Sequence, residues 1–233
     1  MTRLVKLYSA AADPEQAVAQ SAYLRNRFTH LGIPTPQRRA LSREALEGLP
    51  LPEEADCIAV AQRCWELPER EYHYFAVDYL RGHVDRCSAE LLPVLRQLIV
   101  THSWWDTVDH LAANVVGPLV AADPALVKAM DKWIRDENLW LNRAALIHQL
   151  GYGEATDPER LFSYCSIQAR DEDFFIRKAI GWALRQYAKT DPLAVHAYID
   201  RERGRLSPLS VSEARKRGPE PEKAKNKKKR KKS

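Results

Sequence analysis

The sequence predicts an all-α fold in which helical hairpins stack side by side. Three observations carry this. Helix-start signals recur along the chain, apolar residues between them fall at three-to-four spacing, and three of the start signals repeat at intervals of 34 residues. No sustained apolar/polar alternation, the mark of a half-buried strand, interrupts the pattern.

Taken in order, the start signals are Asp13-Pro14-Glu15, Pro52-Glu53-Glu54, Pro68-Glu69-Arg70-Glu71, Asp123-Pro124, Asp157-Pro158-Glu159 and Asp191-Pro192. Each supplies an N-cap acceptor or a proline in the first turn, where a missing N–H costs nothing. Leu91, Leu92, Leu95, Leu98 and Ile99 form an apolar stripe of helical period. Ser103 and Asp106 make a Ser-x-x-Asp capping pattern, which predicts a helix from Trp104.

Asp123, Asp157 and Asp191 lie 34 residues apart, the length of one helical hairpin. The similarity extends further. Arg135-Asp136-Glu137 matches Arg170-Asp171-Glu172, and Trp140 to Ala144 matches Phe175 to Ala179 with one inserted residue. Units of this size cannot bury an apolar face alone and so stack into an α-solenoid. The Trp, Leu-Gly and Tyr pattern of tetratricopeptide repeats is absent, so a HEAT-like α-solenoid of antiparallel helical pairs is expected, with a concave groove.

Of 233 residues, 45% are hydrophobic and 29% charged, enough for a sizeable core. No run approaches the roughly 18 apolar residues of a membrane span, and Met1 is followed by no signal pattern, so a cytoplasmic, nucleoid-associated monomer is the expectation. Cys57, Cys64, Cys87 and Cys165 form no Cys-x-x-Cys pair and read as reduced core thiols. The seven histidines make no His-Glu-x-x-His motif, and nine glycines offer no phosphate-cradling loop. Neither a metal nor a cofactor is expected.

Charge divides the chain. Residues 215–233 carry eleven Lys or Arg against Glu220 and Glu222, a net of +9; residues 1–214 hold 25 basic and 29 acidic groups, a net of −4. The organisation expected is therefore a folded domain over 1–214 and a disordered basic tail over 215–233. That tail either meets a polyanion such as DNA or serves solubility.

The run Ser103-Trp104-Trp105-Asp106-Thr107-Val108-Asp109 is the most unusual in the chain. Asp109 lies four residues after Trp105, on the same helical face and too deep for capping. A buried aromatic beside a solvated charge would look the same. Later, Phe174 to Arg185 places Trp182 and Arg185 three apart on one face of a late helix, and Leu139 to Ala145 contains Arg143. In an ordinary solenoid these would be a core indole and solvated arginines. They are also the side chains that DNA-binding surfaces use for stacking and phosphate contact.

With Ser-Trp-Trp-Asp-Thr-Val-Asp, the chain resembles the DNA alkylation repair glycosylases of AlkD type. The resemblance continues in Gly32-Ile33-Pro34-Thr35-Pro36-Gln37-Arg38-Arg39, in Leu67-Pro68-Glu69-Arg70-Glu71, and in the runs around Trp140 and Trp182. It reaches Ser207 to Ser210, so it spans the body and leaves out the tail. It implies a HEAT-like solenoid around duplex DNA that releases cationic alkylated purines such as N3-methyladenine and N7-methylguanine. It also implies that Trp105 and Trp182 flank the lesion's deoxyribose, that Asp109 is the catalytic carboxylate and that Arg143 contacts phosphate. Tyr23, Lys178 and Arg185 are further expected DNA contacts.

Two other functions fit such a fold: a non-catalytic binder of distorted or branched DNA, and a protein-interaction scaffold. The chemistry favours hydrolysis, because an alkylated purine is already a good leaving group. A fixed carboxylate and two indole faces suit an oxocarbenium-like state, and no lysine nucleophile is needed.

Overall fold

The computed structural model describes residues 1–216. Among them the secondary structure is helical, apart from one isolated bridge between Thr29 and Glu69. No single described helix is long and apolar enough to cross a membrane. Residues 217–233 of the expected tail lie outside the described residues. Its first two belong to the fold, since Arg215 closes the last helix and Lys216 bonds Glu213. The chain divides into two compact units, one over Met1–Ser103 and a second that begins at Trp104.

The first unit comprises α1 (Thr2–Ala10), α2 (Pro14–Tyr23), α3 (Thr35–Leu46), α4 (Glu54–Trp65), α5 (Arg70–His83) and α6 (Leu91–Val100). Asp13 caps α2 as its spacing predicts, accepting from the N–H groups of Glu15 and Gln16 at 2.9 and 3.1 Å. The apolar stripe of α6 is buried from Leu91 to Ile99. Cys57 and Cys64 are buried free thiols and Cys87 is partly exposed; desolvation pushes the Cys64 thiol up to about 12.

Two sequence motifs find a structural explanation here. The fully buried Glu71 accepts from the backbone N–H groups of Leu31, Gly32 and Ile33 at 3.0, 2.8 and 3.2 Å, which ties the loop before α3 to α5. Gly32 stands at φ +88°, and a Cβ there would lie 2.0 Å from the Asp13 carbonyl oxygen, so only glycine fits. Arg70 is equally buried. Its guanidinium donates to the His102 carbonyl at 2.8 Å and lies 3.8 Å from the Phe28 ring centroid. The Gly-Ile-Pro and Pro-Glu-Arg-Glu runs are therefore two halves of one staple.

In the second unit, Trp105–Ala122 is one helix with a wide turn inside it: α7 (Trp105–Leu111), a π-turn over Ala112–Val116 and α8 (Gly117–Ala122). The Gly117 N–H reaches back five residues to the Ala112 carbonyl. Pro118 accounts for this, because a proline inside a helix offers no N–H and crowds the preceding turn, and the wider turn relieves that crowding. The expected Ser103–Asp106 capping pattern does not form. Ser103 Oγ instead donates to the Ile99 carbonyl at 2.7 Å, satisfying an orphan acceptor at the end of α6, and α7 starts at Trp105, one residue late.

The three 34-residue signals each start a hairpin. Asp123, Asp157 and Asp191 accept from the N–H groups of Ala125, Arg160 and Ala194. They introduce α9 (Val127–Trp133) with α10 (Leu139–Ile147), α11 (Pro158–Ile167) with α12 (Phe174–Tyr187), and α13 (Pro192–Arg201) with α14 (Pro208–Arg215). The repeat holds at the level of single bonds. Asn142 Nδ2 donates to the Asp136 carbonyl at 2.9 Å, and its repeat partner Arg177 donates through Nε to the equivalent Asp171 carbonyl at 2.9 Å. Trp140 and its partner Phe175 pack together at 5.0 Å, both against the buried Trp104. α14 lies against α12 at Gly181, where a Cβ would meet the Glu213 Cβ at 2.3 Å. The fold is thus an all-helical stack of the α-solenoid class.

Candidate functional site

An open pocket of about 380 Å³ in the second unit is lined by Trp105, Asp109 and Trp182 together. The first two sit one turn apart on α7 and the third on α12, so the structure gathers residues separated by more than seventy positions. Both indoles are half-buried: part of each ring packs and part faces the opening. Neither the core indole nor the solvated charge of the bland alternative describes them.

Asp109 is held from behind. Arg143 Nε donates to its Oδ1 at 2.6 Å and Arg143 Nη2 to its Oδ2 at 2.7 Å, a two-point grip that fixes the plane of the carboxylate. A third guanidinium N–H goes to the Phe175 carbonyl at the start of α12. Burial pushes the Asp109 carboxyl above the usual aspartate range, and the Arg143 guanidinium works against that rise.

Arg143 was expected to contact phosphate and is placed differently. It is only 5% exposed, with its N–H groups turned to Asp109 and Phe175, so it positions the carboxylate. Lys178 and Arg185 are also occupied. Lys178 Nζ and Arg185 Nη1 bond the two carboxylate oxygens of Glu213 at 2.6 and 2.8 Å, and Lys216 joins them. Burial alone would raise the Glu213 carboxyl, but hydrogen bonds from Lys178, Lys216 and Arg185 hold it at about 2. Trp182 and Arg185 therefore part company. Three residues advance a helix by about 300°, and the remaining 60° turns the indole to the pocket and the arginine to α14. Tyr23 lies in the first unit, 73% exposed at the end of α2.

Several pocket residues escaped the sequence reasoning. Asp106, His110 and Asn114 line it from α7 and the π-turn, and Gln186 lines it from α12. Asn114 Nδ2 approaches His110 Nδ1 at 3.3 Å. The signal was present as four-residue steps, from Asp106 to His110 to Asn114 and from Trp182 to Gln186.

The arrangement offers a rigid carboxylate and two electron-rich ring faces to whatever enters. It suits a reaction in which positive charge grows on the bound molecule. A family model described as DNA alkylation repair enzyme matches residues 4–217. A solved structure of a predicted DNA alkylation repair enzyme from Enterococcus faecalis is similar at 33% identity and a TM-score of 0.81, covering 88% of this chain and 95% of that one. No curated protein matches significantly.

Proposed function

Because the chain belongs to the DNA alkylation repair enzyme family, its role is in DNA repair, and we propose that it is a monofunctional glycosylase releasing cationic alkylated purines from duplex DNA. The observation that carries this is the carboxylate of Asp109, locked by Arg143 in one pocket with Trp105 and Trp182. A purine alkylated at N3 or N7 carries a positive charge. When its bond to C1′ breaks, the bonding pair returns to the base, which leaves neutral, and the charge passes to the sugar.

Asp109 meets that charge at fixed distance without reorganising, because Arg143 already holds it. The indoles of Trp105 and Trp182 present negative ring faces to the same sugar. Water then adds at C1′ and gives its proton to Asp109 or to solvent, leaving an abasic site and a free base. The grip of Arg143 serves orientation at some electrostatic cost, since a paired carboxylate attracts a cation less strongly than a bare one. On this reading residues 217–233 add affinity for any DNA without touching the chemistry.

Asp109→Asn tests the assignment. Single-turnover release of N7-methylguanine at saturating enzyme should fall by about 10²-fold or more, with duplex affinity kept or improved. Undiminished release would overturn it, and binding without release by the unaltered protein would leave only a non-catalytic binder.

A further inference from the structure

A second cluster of charges lies in the first unit, on α3 and α5. Asp78 on α5 is approached by three guanidinium groups. Arg38 Nη2 bonds its Oδ2 at 3.0 Å, Arg39 Nε stands 3.7 Å from the same oxygen, and Arg81 Nη2 stands 3.5 Å from Oδ1. We propose that Arg39 and Arg81, set around the Asp78–Arg38 pair on α3 and α5, form a clamp for the phosphates of the duplex DNA backbone. This rests on the proposed action on duplex DNA.

Packing explains only part of the cluster. Arg38 is 5% exposed and its bond to Asp78 staples α3 to α5, with its guanidinium 5.2 Å from the Tyr74 ring centroid. That single pair already compensates Asp78. Arg39 and Arg81 remain half-exposed at 52% and 48%, beyond hydrogen-bond length, and an exposed pair of that kind contributes little to stability. Three guanidiniums on one carboxylate leave two positive charges over, in a body whose net charge is −4. Arg43, exposed one turn beyond Arg39 on α3, adds a third.

Arg38 bonds Asp78 through Nη2 and its Nη1 is sealed from solvent, so the donors that can reach a ligand are those of Arg39 and Arg81. Arginine forks match phosphate oxygens, and several exposed ones spread over two helices, Arg39 and Arg43 on α3 and Arg81 on α5, suit a polyanion better than a single small anion. The cluster therefore supplies segregated positive charge that the composition of the body demands if duplex DNA is to bind.

The test compares the full chain with Arg39→Gln/Arg81→Gln, which leaves the Arg38–Asp78 staple intact, and with a control that removes two exposed charges elsewhere, Arg201→Gln/Arg203→Gln. Affinity for a methylated and an unmodified duplex is measured from 50 to 200 mM salt. Each lost phosphate contact should flatten the plot of log affinity against log salt by about 0.9, so the double variant should lose nearly two units of slope and about tenfold or more in affinity at the lowest salt. Single-turnover release at saturating enzyme should be unchanged. An unaltered slope, or an equal loss in the control, would overturn the clamp while leaving the glycosylase standing. Failure of the unaltered protein to bind duplex DNA or release base would remove both.

Discussion

Arg143 and Lys178 occupy equivalent positions in two successive hairpins, and each grips a buried carboxylate, yet the two carboxylates end in opposite states. Asp109 has one partner and is pushed above the usual aspartate range by burial. Glu213 has three partners and is held at about 2. The repeat supplies the cation, and the number of further cations decides what the pair is for. One guanidinium fixes a carboxylate while leaving its outer face available to a ligand. Three cations all in hydrogen-bond contact occupy both of its oxygens and are themselves held, unlike Arg39 and Arg81 around Asp78, which makes a staple between α12 and α14.

The comparison can be broken most severely at Arg143. Arg143→Met leaves Asp109 buried with no partner, which should cost about 3–5 kcal/mol near neutral pH. The loss should shrink as pH falls, because Asp109 then takes up a proton and no longer needs a counter-charge. Denaturant unfolding at pH 8 and pH 5 checks this, and equal losses at both would detach Arg143 from the carboxylate.

Glu213→Gln probes the other pair and should cost about 1–3 kcal/mol, less because Lys178 and Lys216 are 35% and 55% exposed and partly solvated. The lowered carboxyl sets the sign of the pH dependence. Its contribution is present above its ordinary value of 4.5 and is lost as pH falls toward about 2, so wild type and variant should converge in stability across that window. Release at saturating enzyme should barely change, which separates staple from site.

The indoles give a smaller effect on stability. Trp105→Ala and Trp182→Ala should each cost about 1–2 kcal/mol, below the roughly 3–5 of a fully buried indole, while slowing base release in folded protein. Activity lost only in step with unfolding would return both to the core. The smallest expected signal is in the pH profile of release. The rate should rise with pH through a midpoint above the usual aspartate range and then level, since Asp109 acts ionised.

Local rules were legible wherever the partner is near in sequence. Asp13, Asp123, Asp157 and Asp191 cap the helices they precede, because a cap is decided within four residues. Trp105 and Asp109 were readable as one face for the same reason. The Ser103–Asp106 pattern misled because α7 starts one residue late, with Trp104 and not Ser103 at its N-cap position, while the Ser103 hydroxyl donates back to the Ile99 carbonyl. Arg143 and Lys178 were visible as cations but not as pairs. Their partners lie 34 and 35 residues away in opposite directions along the chain, and no pattern in a single hairpin says which way each will turn. Resemblance located Asp109 and Trp182 as a set. Only the fold shows that Arg143 faces the carboxylate.

The π-turn at Ala112–Val116 makes α7 and α8 a helix one residue longer than its span requires. Removing one residue there would close the wide turn into an ordinary α-turn and keep α7 and α8 in phase, so the grip of Arg143 on Asp109 would survive, at the cost of Pro118 crowding a normal turn. Removing one residue from the regular turns on either side would instead rotate α7 by about 100° against α8 and carry Asp109 away from Arg143. The wide turn therefore holds one residue in reserve, so that along this helix the same lesion, a lost residue, is mild at one turn and grave at the next.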